Sequence, residues 1–245
     1  MSQKINLEEI KSKLYEKLKA SGWGDPLKTF IMSSDMDNIL NALLKDSEEG
    51  KRFTPVLKQV FRAFEECPYN ELKVVMIGQD PYVYPPKEDG QLPVADGIAF
   101  SCSNSGKIEA PLKFIYTEVN DTVYPGEEYM WNPDLKHWSN QGILLINSAL
   151  TTNLNKTGTH YDMWKPFMAF LLDMLSFHNH GLVYIFMGRK AQEWADSVPD
   201  NANWKLFCTH PASAVYDENE HWDSGNIFTK VSHLVFDNYK YRIKW

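Results

Sequence analysis

Four short apolar runs constrain this chain most: LKVVMI (72–77), ILLI (143–146), LVYIFM (182–187) and KLFC (205–208). Each stops abruptly at glycine or polar residues. The runs are too continuously apolar to leave one face wet, so each is expected to be a strand covered on both sides. Stretches of helical character lie between them, notably MWKPFMAFLLDMLSF (163–177) and AQEWADSV (191–198). Alternating strands and helices predict parallel strands joined by crossovers. The expected fold class is α/β, a single domain over residues 1–245 with a central four-stranded parallel sheet flanked by helices on both faces.

Residues 1–66 read as a helical N-terminal part, and residues 67–245 as the α/β core. Residues 6–20 form a charged amphipathic segment. In SDMDNILNALLKD (34–46), Ser34 and Asp37 stand at capping-box spacing ahead of apolar 3–4 periodicity. Thr54–Pro55 predicts the start of another helix, TPVLKQVFRAFEE, with proline at the first position, where its missing N–H costs nothing. There is no internal repeat and no low-complexity linker.

No stretch approaches the ~18 apolar residues of a membrane span, and the charged N-terminus lacks the apolar centre of a signal peptide. Cys67, Cys102 and Cys208 are odd in number and scattered, which argues for a reducing compartment and against a disulfide framework or zinc site. The expectation is an intracellular monomer with no membrane partner.

The net charge of −7 bears against non-specific nucleic-acid binding, which draws on Lys and Arg. Two basic groups stand apart from it: Arg189–Lys190, and Lys230, Lys240, Arg242 and Lys244 near the C-terminus. Charge alone reads equally as a DNA-facing strip and as ordinary solvated surface.

The residues after the strands carry more information. The first run is followed by Gly78–Gln79–Asp80, the second by Asn147, the third by Gly188–Arg189 and the fourth by Thr209–His210–Pro211. Open parallel sheets bind ligands at the carboxyl ends of their strands, so Asp80, Asn147, Arg189 and His210 are expected around one cleft. That set names no reaction by itself. A serine nucleophile has no G-x-S-x-G elbow here, Cys208 lies inside a strand, and the histidines lack the i,i+4 spacing of a metal helix.

Taken together, GQDPY (78–82), GIAFS (97–101), ILLINSALT (143–151), the strand leading into GRKAQ (182–192) and THPASAVY (209–216) resemble family-1 uracil-DNA glycosylases in order and spacing. The resemblance spans about Leu57 to Val235. It implies that the chain flips uracil out of DNA and hydrolyses the N-glycosidic bond in base excision repair, with no metal or cofactor. The implied partners are uracil-containing DNA, single- or double-stranded, and a proteinaceous inhibitor. It implies Asp80 as the carboxylate that orients water and stabilises positive charge on the sugar, and His210 as a neutral donor to uracil O2. It implies Asn147 as the reader of the uracil edge, Phe100 as the stacking face, Tyr82 as the wall that excludes a 5-methyl group, and Gln79 as a further pocket residue. Pro111, Gly188, Arg189, Ala212, Ser213, Ala214 and Val215 fall in the implied DNA-contacting segments. Competing readings are a DNA-binding scaffold of the same fold and a glycosylase of altered pyrimidine preference.

The chain departs from the family pattern in several places. Position 83 is Val where the family usually has His, and the Tyr84–Val94 segment lengthens the loop after Tyr82. The phosphate-clamping loop is reduced to Ala110–Pro111–Leu112. HPASAVY is one residue short and lacks the wedging Leu, so Val215 or Tyr216 is expected to substitute, or the enzyme to prefer single strands, where unstacking is cheap.

Overall fold

The computed structural model describes residues 6–88, 90–200, 203–216 and 221–245. Its centre is a parallel sheet of β1 (Val74–Gly78), β2 (Ile143–Asn147), β3 (Val183–Met187) and β4 (Trp204–Cys208), in the spatial order β2-β1-β3-β4. Every residue of β1 and β3 is buried. A strand with no exposed residue needs cover on both faces, as the apolar runs required. Strand β4 forms one edge, and there Trp204 and Phe207 remain exposed.

Helices α1 (Leu7–Lys19), α2 (Gly24–Ile31) and α3 (Ser34–Glu48) make up most of the N-terminal part. The core helices are α4 (Ala110–Thr122), α5 (Tyr161–His178) and α6 (Ile227–Tyr239). Phe30, Phe61, Phe64, Trp164 and Phe167 interlock edge to face between the N-terminal helices and α5. Trp138, Phe228 and Trp245 form a second aromatic cluster by α6. Buried apolar residues from the helices and the sheet form one contiguous cluster.

Three local expectations are corrected. The cap of α3 is Ser33, whose Oγ accepts from Met36 N at 3.4 Å, not Ser34. No helix starts at Pro55: Phe53–Thr54 pairs antiparallel with Thr152–Asn153, and only Leu57–Gln59 and Arg62–Glu66 turn helically. The backbone of residues 53–54 is used in a ladder that local sequence does not reveal. Residues 191–198 are split between a helical turn at Arg189–Gln192 and a 3-10 turn at Ala195–Ser197. Residues 1–5 of the predicted helical part, and Asp89 in the long loop, lie outside the described residues.

Candidate active site

Register places the functional segments level with one another. Gly78 pairs with Asn147, and Met187 with Cys208. Gln79–Asp80, Asn147, Gly188–Arg189 and Thr209–His210 therefore emerge together at the carboxyl ends of β1, β2, β3 and β4. The chain leaves β1 for β2 on one side and returns to β3 on the other, so this is a topological switch point, where such sheets bind ligands. A cleft of about 1070 Å³ lies there.

Of the residues singled out from sequence, Gln79, Asp80, Tyr82, Phe100, Asn147 and His210 line that cleft, as do Pro111, Gly188, Arg189, Ala212 and Ser213. Ala214 and Val215 do not. Ala214 is only 2% exposed and packs inward, whereas Val215 is 57% exposed. Tyr216, 91% exposed, does line the cleft.

Two glycines make room for the site. A Cβ on Gly78 would lie 2.5 Å from Asn147 Oδ1 and 3.1 Å from Phe100 Cζ, so the amide and the ring close over a bare backbone. Gly188 has φ +87°, and a Cβ there would sit 2.7 Å from the Cβ of His210.

His210 is held in one protonation state. The Ala212 N–H donates to its Nδ1 at 3.2 Å, so that nitrogen carries a lone pair and Nε2 carries the proton. Burial lowers the imidazole from its ordinary 6.5 to about 4, which keeps it neutral at physiological pH. Among the described residues no acceptor meets the Nε2–H. The ring lies 5.7 Å from that of Phe100, tilted by 43°.

Asp80 receives the Gly158 N–H on Oδ2 at 2.6 Å. Burial raises its carboxyl above the ordinary value, and the donors Gly158, Tyr161 and Gln79 pull it back down. A carboxylate so placed accepts protons more readily than one in water.

Phe100 adopts φ +65°, a left-handed conformation unusual for an aromatic residue. Its loop is tied from beneath by Asp96, which is fully buried. Asp96 accepts from Ile98 N at 3.1 Å, Ser101 Oγ at 2.6 Å and Ser103 N at 3.0 Å, and meets Arg62 at 2.8 Å. Tyr82 donates its hydroxyl to Phe100 O at 3.1 Å, which ties the two loops together at the cleft. The Tyr84–Val94 segment closes on itself through Val94 N to Tyr84 O at 3.3 Å, and Tyr84 stacks on Tyr82. Of its described residues, Tyr84 lines the cleft.

Sequence reading missed Asp96, Gly158 and Tyr161. Each acts through a contact made by folding, and no spacing rule marks them. Charge left open whether the basic C-terminus belongs to a DNA face, and the fold sets its tail apart from the cleft. Lys244 N donates to Gln141 Oε1 at 2.8 Å, Tyr239 Oη to Gly181 O at 2.8 Å, and Lys73 lies over the Tyr241 ring. Lys73, Gln141 and Gly181 all precede the strands, so this tail sits at the end of the sheet opposite the cleft. Arg189 and Lys190 remain at the cleft, Lys190 paired with Glu193 at 2.8 Å.

The thiols of Cys67, Cys102 and Cys208 are buried and pushed up to about 12 by that burial, so none is a poised nucleophile. No helix of the described residues is long and apolar enough to cross a membrane.

The profile of the uracil DNA glycosylase superfamily matches residues 64–232. The chain belongs to this superfamily. The match covers the whole sheet and every glycosylase motif. A uracil-DNA glycosylase from Acinetobacter baumannii (strain SDF) is 28% identical over 206 residues, covering 84% of this chain and 83% of that protein. One from Amoebophilus asiaticus is 29% identical, over 77% of this chain and 84% of its own length. Among solved structures, mimivirus UNG Y322F in complex with UGI superposes with TM-score 0.80 at 25% identity, covering 91% of this chain and 87% of that one.

Proposed function

We propose that this cleft excises uracil from DNA, hydrolysing the N-glycosidic bond to leave free uracil and an abasic site. The observation that carries the reading is the pairing of Asp80 with a neutral, Nε2-protonated His210 in one cleft. Cleavage leaves positive charge on the deoxyribose and negative charge on the base. Fixed groups of opposite sign at the two ends stabilise that state more than the ground state. The bond between C1′ and N1 breaks with its electron pair going to uracil, water adds to C1′, and the water proton passes to Asp80. The Nε2–H of His210 bonds the departing anion without giving up its proton.

Recognition follows the same chemistry. The base must leave the stack to reach C1′. Phe100 then offers a ring face, Asn147 an amide for the base edge, and Tyr82 a wall where a 5-methyl group would sit. A cytosine presents the opposite hydrogen-bond pattern to that amide, and the mismatch leaves buried polar groups unpaired, at about 1–3 kcal/mol each. The reading treats residues 1–245 as one domain whose helical first part braces the catalytic core. It places the protein inside the cell, where DNA is, and it includes a protein inhibitor as a partner, by similarity to the mimivirus UNG solved with UGI.

The test is a labelled oligonucleotide with a single uracil, treated with alkali after incubation. Scission by the wild type that is lost in Asp80→Asn and His210→Leu supports the reading. Scission at other pyrimidines would point to an altered base preference. No scission from the wild type would leave a DNA-binding scaffold.

A further inference from the structure

Asp80 has three neighbours able to donate to it. Gly158 N–H does so at 2.6 Å; the others are Gln79 and the Tyr161 phenol. Tyr161 opens α5 and lines the same cleft. Its hydroxyl oxygen is shielded from solvent, and among the described residues it has no partner in bonding geometry. It nonetheless lies close enough to Asp80 for each group to shift the other's titration. A buried hydroxyl left unbonded costs its full desolvation, so an oxygen kept beside a reactive carboxylate calls for a role.

The ring is also tightly built in. Gly158 has φ +72°, and a Cβ there would meet Tyr161 Cε2 at 2.8 Å, so the turn that donates to Asp80 packs directly against the phenol. Lys190 Nζ lies 5.6 Å from the ring centroid. On the loop after Asp80, Val83 lines the cleft but offers no side-chain polar atom. Tyr161 is thus a fixed side-chain donor beside Asp80, anchored on a helix rather than on the GQDPY loop.

We propose that Tyr161 is a positioning residue for Asp80: its solvent-shielded phenol holds one side of the carboxylate so that the other side stays turned to the hydrolytic water. This rests on the uracil-excision reading. In that arrangement one hydrogen of the water points at the carboxylate and a lone pair of its oxygen faces C1′. As the C1′–O bond forms and the C1′–N1 bond breaks, the proton moves to Asp80 and Tyr161 keeps its own. Burial and the charge of Asp80 both raise the phenol, so it remains a donor throughout.

Tyr161→Phe removes one oxygen and keeps the ring. On a single-stranded uracil oligonucleotide kcat is expected to fall about tenfold or more, with KM within about twofold. The acid limb of the kcat–pH profile should move to higher pH, because Asp80 loses a donor to its ionised form. Free-uracil binding and the melting temperature should stay at wild-type values, which reports an intact pocket. A variant with wild-type kcat and an unmoved acid limb would overturn the proposal. So would a change confined to KM, which would make Tyr161 a packing residue. If the wild type itself releases no uracil, the excision reading fails instead.

Discussion

The Gly158 amide donates to the carboxylate of Asp80 across 78 positions of sequence, at 2.6 Å. The turn that carries it lies between β2 and α5, and its Thr157 lines the cleft. The His210 end of the cleft is built separately, by the short turn after β4 that fixes the proton on its ring. The groups proposed for the sugar and for the base therefore rest on different parts of the sheet, and they can be perturbed one at a time.

The first prediction concerns pH and stability. His210 titrates at about 4 in the fold against 6.5 ordinarily, so the unfolded chain takes up that proton first. Its contribution to stability is complete above about 6.5 and is lost as pH falls from there towards 4. Asp80 works in the opposite sense, because its carboxyl is raised in the fold. Denaturant titrations should show wild type losing stability relative to His210→Leu as pH is lowered from 7 towards 4. Parallel curves across that window would show that His210 is not held neutral by burial.

The second concerns the bare backbone under the base pocket. Gly78→Ala sets a methyl 2.5 Å from Asn147 Oδ1 and 3.1 Å from Phe100. Overpacking of this kind costs about 1–3 kcal/mol, and here the groups forced to shift are those assigned to the base. Uracil release should drop about tenfold or more while the protein still folds cooperatively. Calorimetry alongside the kinetic assay separates the two effects, and full activity would mean that Asn147 does not need its observed position.

The third concerns salt. Arg189 lines the cleft, whereas Lys240 and Arg242 sit at the far end of the sheet with the C-terminal tail. Plotted as log KM against log salt, Arg189→Ala should lower the slope by about 0.7–0.9, the loss of one phosphate contact. A Lys240→Ala/Arg242→Ala double variant should leave the slope as it was. Reversal of these two results would put DNA on the opposite side of the molecule.

The fourth concerns strandedness. Ala214 is buried and has no reach, whereas Tyr216 projects into solvent beside the cleft. We expect faster turnover on single-stranded than on matched duplex substrate, because unstacking costs a few kcal/mol per base step in the duplex. Tyr216→Ala should widen that gap by slowing the duplex reaction alone. Equal rates on both substrates in the wild type would argue that another residue fills the stack.

The sheet was legible because its strands are buried on both faces: an uninterrupted apolar run has few other uses. The residues after the strands were legible for the same reason, since parallel strands bring their carboxyl ends together. What could not be read was anything decided by partners distant in sequence. Thr54–Pro55 resembles a helix start, and its true role appears only when Phe53–Thr54 meets Thr152–Asn153. The helices at 110–122 and 227–239 went unassigned, although Pro111 lies in the first turn of one of them. Charge counts could not say at which end of the sheet the basic tail would lie. Gly158 and Tyr161 look like loop punctuation and an ordinary aromatic until Asp80 is placed beside them.

His160 shows how far support for the site extends. Trp164 Nε1 donates to Thr151 Oγ1 at 2.7 Å, Thr151 faces His160 Nδ1 at 2.8 Å, and His160 Nε2 reaches Asp46 Oδ2 at 3.0 Å. Asp46 belongs to α3, and His160 is two residues past the amide that grips Asp80. The amino-terminal helices are thereby wired to the Asp80 half of the cleft through a four-membered polar chain. They are a buttress rather than an appendage, and a form of the protein shortened from that end would be left with a loosened hearth under its reactive carboxylate.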